Sequence, residues 1–169
     1  GVNMLALADG VPRTLSLREM LRYYIAHQRD VIVRRTRFEL EKAKKRAHIL
    51  EGLLVAISNL DEVIRIIRSS EDTEAAKIGL TERFGLSEEQ AQAIVDLRLR
   101  NLTALERHKI EEEHRDLVER IAYLESLLAD ESLIYGVIKE ELLEIQQMYG
   151  DDRRTEILPS EDEIDIEDM

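Results

Sequence analysis

The sequence predicts an all-α chain: a long antiparallel two-helix coiled-coil stalk bearing a small helical dimerisation head, with a short N-terminal β-hairpin before it. Three observations predict this. Charged residues make up 36% of the 169 positions and aromatics 4%, with prolines only at Pro12 and Pro159. Long helices and coiled coils have that composition. Two apolar series alternate three- and four-residue steps, the heptad signature of a helix packed along one partner. Between them lie several short helices with their own start and stop signals, which is more than a simple turn between two rods needs.

The elements come in order along the chain. Residues 1–15 read as a β-hairpin: Val2 to Leu7 is apolar, Asp9-Gly10 is a turn pair, and Pro12 confines the returning strand to an edge. Residues 16–59 form the outgoing rod. Ser16 and Glu19 make a capping box, with Leu15 and Met20 placed as a hydrophobic staple. Nothing stops this helix before Ser58-Asn59 except a tolerated Gly52. Its seam is Leu40, Ala43, Ala47, Leu50, Leu54 and Ile57. Nearer the start the apolar band widens around Leu21, Tyr24, Ile25 and Ile32, more than a two-helix seam requires, so the base of the rod needs a further partner.

Residues 60–103 form the head. Asn59 can cap a helix over 60–68, and 74–84 ends at Gly85 in the left-handed C-terminal position. Ser87 with Gln90 opens 88–99, and Thr103 with Glu106 opens the last long segment. Some 45 residues in short helices bury little alone, so the surplus aliphatics predict two-fold pairing with a second copy. Residues 104–150 form the returning rod. Its series includes Ile110, His114, Leu117, Ile121, Leu124, Leu128, Glu131, Tyr135, Ile138, Leu142, Ile145 and Tyr149. Asp130-Glu131-Ser132 predicts a fresh start without loss of phase, and Gly150 ends the run. Residues 151–169 are an acidic connector.

Closing the hairpin symmetrically about the head sets a register: Leu54 near Ile110, Leu50 near His114, Ala47 near Leu117, Ala43 near Ile121, Leu40 near Leu124. Two alanines then face two large aliphatics, letting the rods approach closely. By the same register Glu131 falls near Val33 to Arg35, which predicts an ion pair with Arg34 or Arg35.

Chemistry is sparse. The absence of cysteine excludes disulfides and thiolate metal sites and fits a reducing cytoplasm. The chain shows neither a bilayer-spanning apolar run nor a signal-peptide pattern, so a soluble cytoplasmic protein without membrane partners is expected. A net charge of −12 argues against a general nucleic-acid binder. Basic residues nonetheless crowd one stretch around Arg34, Arg35 and Arg37, readable as a solvated face or as a DNA-facing one. His27, His48, His108 and His114 have no metal-ligand spacing, and His114 reads as a hydrogen-bonded seam residue that fixes register.

Several strings are specific enough to carry a resemblance. The run 90–106, QAQAIVDLRLRNLTALE, resembles the exit-gate segment of the A subunits of bacterial type IIA DNA topoisomerases, the family of gyrase and topoisomerase IV. So do VIVRRTRF at 31–38, RAHILEG at 46–52 and GDDRRTEI at 150–157, while NMLAL at 3–7 resembles the strand that enters the stalk. Leu102–Glu106 and Arg154–Ile157 favour the gyrase branch.

The resemblance implies an exit gate: two A subunits meet at their heads, and the contact opens to release a transported duplex. It implies a homodimer through the head, with Ile94, Leu97, Leu99 and Leu102 as contact candidates because they cluster in the strongest string. The parent complex is expected to hold duplex DNA with the gyrase B subunit, using ATP and Mg2+ through other domains. This chain is expected to need no cofactor or metal and to be no enzyme by itself. The family's tyrosine nucleophile lies in an Arg-Tyr-Thr motif upstream of this region. Arg22-Tyr23-Tyr24 imitates it inside a helix, with no activating group nearby, so Tyr24 reads as packing and Tyr23 as partly exposed. A helical spacer or partner-binding arm is the alternative; its hairpin would turn tightly, without a head.

Overall fold

The computed structural model describes residues 3–97 and 104–157, with side chains of the last helical stretch described from 107 onward. A two-stranded antiparallel hairpin, β1 (Leu5–Ala8) and β2 (Val11–Thr14), pairs Leu5 with Thr14 and Leu7 with Pro12. Asp9 and Gly10 both take positive φ, as the mirror-image turn of a two-residue hairpin requires. Among the described residues six helices come next: α1 (Leu17–Ser58), α2 (Leu60–Ser69), α3 (Thr73–Phe84), α4 (Glu88–Val95), α5 (Ala104–Ala129) and α6 (Glu131–Tyr149).

Helix α1 is one uninterrupted rod of about 63 Å. The reciprocal Ser16–Glu19 capping box opens it. Asn59 closes it, but its side chain does not cap α2. The amide Nδ2 instead donates back to the Val55 carbonyl at 2.9 Å, so Asn59 belongs to the end of the first helix. Asp72 caps α3 through the Ala75 amide, and Gly85 ends it in the left-handed conformation. Ser87 and Gln90 form the capping box of α4. The Thr103–Glu106 box lies outside the described residues and side chains.

The rods form an antiparallel hairpin, α1 packing mainly against α5. Ala43, Ala47, Leu50 and Leu124 are buried, while Leu40, Leu54, Ile110, Leu117 and Ile121 are half-buried. Leu40 packs in one cluster with Leu124, as the register expects, and half-buried His114 reaches Glu51, one residue from its expected neighbour Leu50. Ion pairs flank the seam on both sides: Arg46–Glu113 at 2.6 Å, Glu39–Arg120 at 2.6 Å and Lys44–Glu125 at 2.6 Å. Matched charges at such positions favour the antiparallel alignment over its alternatives.

Two expectations fail at the break in the returning rod. Asp130 leaves the helix with φ −126° and ψ 109°, its carboxylate accepting from the Ser132 amide. The apolar phase nevertheless continues across the break, as expected: Leu124, Leu127, Ile134 and Ile138 are buried in one three-four series through position 131. That series takes Leu127 and Ile134 in place of Leu128 and Tyr135, so Tyr135 is 45% exposed, and the stretch from Leu142 to Tyr149 lies largely open to solvent. Glu131 pairs not with Arg34 or Arg35 but with Arg29, at 2.5 Å on the surface, in step with the Arg46–Glu113 and Glu39–Arg120 pairs nearer the head.

The Arg46–Glu113 pair predicts a pH dependence. The Arg46 guanidinium, hydrogen-bonded to Glu113, holds that carboxyl below the ordinary carboxylate range. A depressed folded pKa means the stabilisation is present above the unfolded pKa and is lost as pH falls through the folded value. Glu113→Gln is expected to lower the thermal midpoint slightly at neutral pH, because the pair is half-exposed. In strongly acidic buffer the two proteins should melt together. Equal midpoints at both pH values would show that the pair contributes nothing.

Candidate functional site

The head is built on the tips of the stalk. Leu50, Leu53 and Ala56 of α1 join Val63, Leu80, Leu86, Ala91 and Ile94 in one buried cluster, against which Ile110 and Leu117 of α5 also pack. The stalk thus supplies apolar surface that the short helices lack, which corrects the expectation of a head too small to hold its own core. Ile94 is 3% exposed within this cluster, so it is not a surface for a partner. Leu97 is half-buried against the same cluster. Leu99 and Leu102 lie outside the described residues. Among the described residues of α2–α4, the exposed large aliphatics are Ile67 and Ile78, the latter at 57%.

Helix α4 is joined to α1 by a compact polar junction. A Cβ on Gly52 would lie 2.7 Å from Cβ and 2.8 Å from Cγ of Gln90, so the two helices touch through the missing side chain. Gln90 is buried. Its Nε2 donates to the His48 carbonyl at 2.6 Å and also faces the ring Nδ1 at 3.4 Å. Its Oε1 accepts from the Ser87 amide at 3.0 Å. His48 Nε2 and Ser87 Oγ stand 2.8 Å apart. The sequence signals were present but read separately: Gly52 as tolerated, and Ser87–Gln90 as a local cap.

The basic stretch is largely neutralised by neighbours. Arg34 pairs with Asp30 at 2.9 Å and Arg35 with Glu141 at 2.5 Å. Arg37 is exposed and, among the described residues, makes no ion pair. Tyr23 and Tyr24 are both partly exposed, so Tyr24 is not the packing residue expected of it. Tyr23 lines a shallow hollow with Glu19, Arg22 and Ala26. Tyr149 stands in the open at the base, and Tyr123 lies beneath the Arg120 guanidinium, 5.4 Å from its ring centre. No group of three or more potential metal ligands occurs among the described residues. No helix among them is long and apolar enough to cross a membrane.

The base of the stalk is the most apolar exposed region. Leu17, Leu21 and Ile25 on α1 and Leu143, Ile145 and Met148 on α6 are exposed, as are Leu5 and Leu7 of the hairpin. Ile25 shares one hollow with Leu142 and Leu143, and exposed apolar surface of this kind is where another surface can dock.

Comparison with known proteins adds the family. The family model for the A subunit of DNA gyrase/topoisomerase IV matches residues 1–143. The chain is 57% identical to the DNA gyrase A subunit of Halalkalibacterium halodurans and 55% identical to that of Clostridium acetobutylicum, over 169 residues in each case. It is 51% identical over 170 aligned residues to the DNA gyrase A subunit of Staphylococcus aureus. All three alignments cover 100% of this chain, but only 20%, 20% and 19% of the respective relatives, so the chain spans about a fifth of their length.

Proposed function

We propose that this chain, which belongs to the DNA gyrase/topoisomerase IV A-subunit family, is the exit-gate module of a gyrase A subunit. The observation that supports this best is a head of several capped helices sharing one buried core with the tip of an antiparallel stalk, in a chain whose whole length aligns with gyrase relatives. A spacer arm would need only a turn there. The head pairs with its copy in the second A subunit, and their contact opens to release a transported duplex. The chain itself carries no chemistry. DNA cleavage, ATP and Mg2+ belong to other parts of the parent type II topoisomerase and its gyrase B partner, in the cytoplasm. The apolar base seats the stalk on the remainder of the A subunit, which is four-fifths of the relatives' length.

With Ile94 committed to the core, Leu97, Leu99 and Leu102 remain the contact candidates. Sedimentation of this chain across a dilution series tests the reading. A two-fold dimer at tens of micromolar is expected, and Leu102→Glu should give a helical monomer, because burying an unpaired charge costs several kcal/mol. A monomeric wild-type chain, or a dimer unaffected by charges in the head, would leave the spacer reading in its place.

Because Arg34 and Arg35 are held by carboxylates, the basic stretch reads as a solvated face. No salt-dependent affinity of this chain for duplex DNA is expected. Binding at low salt that is lost in Arg37→Ala would assign that face to the duplex instead.

A further inference from the structure

We propose, building on the exit-gate reading, that the junction of His48, Gly52, Ser87 and Gln90 is a positioning device that sets the angle between stalk and head. Apolar burial is non-directional, and the head core alone would tolerate small rotations of α4 on α1. Hydrogen bonds require direction. The Gln90 amide is the meeting point: its oxygen is held by the Ser87 backbone and its nitrogen by the His48 carbonyl, while the His48 ring reaches back to the Ser87 hydroxyl. The cap of one helix is thereby bolted crosswise to the other. Gly52 lets the two approach until Gln90 occupies the space where a side chain would sit.

The position of this junction gives it leverage. Leu97, a proposed contact residue, lies just beyond α4 and packs on the same head core, so the orientation of α4 sets where Leu97 stands. In the other direction α1 runs as one helix from Gly52 to Leu17. That span is about 50 Å, so a rotation of about 10° at the junction moves the base by roughly 9 Å. Two stalks joined at their heads keep their bases at a defined separation only if this angle is stiff.

The absence of cysteine makes the test clean, since single cysteines can be introduced and spin-labelled. With Arg22→Cys near the base of α1, pulsed dipolar spectroscopy on the dimer reads the distance between the two bases. A narrow distribution is expected for the parent chain. Gln90→Ala should broaden it about twofold or more, given the lever arm of the rod. His48→Ala, which keeps the backbone acceptor, should broaden it less. Val63→Ala loosens the same core without touching the junction, and should lower the melting temperature while leaving the width unchanged. An unchanged distribution in Gln90→Ala overturns the proposal, and so does equal broadening in Val63→Ala. If the chain is monomeric, labels at Arg22→Cys and Glu82→Cys within one molecule read the same angle. Loss of the dimer and loss of the angle are therefore separate results.

Discussion

Replacing Leu50 with Ala is expected to lower the thermal midpoint by roughly 10 °C, through a loss of about 2–5 kcal/mol. Leu50 lies on the stalk helix, is 0% exposed, and sits in the cluster that also holds Val63, Leu80, Ala91 and Ile94 of the head. Truncation removes buried methyl groups and leaves a cavity where α1 meets α2, α3 and α4, a place with little freedom to collapse. Both parts should weaken together, so the heat-capacity trace should show one shifted transition. Two separated transitions would mean that head and stalk fold independently. A shift as small as that of a surface substitution would mean that Leu50 does not join them. Leu21→Ala, at an exposed position on the same helix, serves as the comparison.

A second large effect is expected at the far end of the returning rod. Ile134→Glu should release α6 from α1, at a cost of several kcal/mol for an unpaired buried charge. Ile134 is 2% exposed and is one of only two buried residues of α6, the other being Ile138. Hydrogen exchange should then show residues 131–149 losing protection while α5 keeps its own. Tyr135→Glu should be mild, since that ring is open to solvent and its hydroxyl lies 3.4 Å from Glu131. The two substitutions distinguish the observed series, which buries Ile134, from the one expected from the sequence, which would bury Tyr135. A severe Tyr135→Glu with a silent Ile134→Glu would restore the series through Leu128 and Tyr135.

Much of this architecture was legible because its determinants are local. The Ser16–Glu19 and Ser87–Gln90 boxes, the left-handed Gly85 and the Asp9-Gly10 turn each act over three or four residues, and each appears where the sequence puts it. The new start at Asp130 was legible for the same reason. Alternation of three and four steps sufficed to pair the rods antiparallel, since Leu40 and Leu124 share one cluster.

Facing was harder to read. Along α1 near the head, Leu53 and Ala56 join Leu50 as buried residues, while Leu54 and Ile57 of the heptad series are only half-buried. Adjacent apolar residues satisfy a helical period almost equally well, and α4, packing over Gly52, selects the neighbour on its own side.

By itself, then, the sequence determined the two rods, their caps, the break at Asp130, the intervening short helices and the family strings. Each of these depends on near neighbours in the chain or on residue identity. Only the tertiary structure decided that Ile94 closes the head core, that Ile134 displaces Tyr135 from the interface, and that Glu131 meets Arg29. It also decided that Gln90 fills the space above Gly52. Those outcomes turn on which of two adjacent residues a helix presents to its partner and on which charge lies within reach across the seam, quantities that packing against a partner sets and that periodicity cannot resolve.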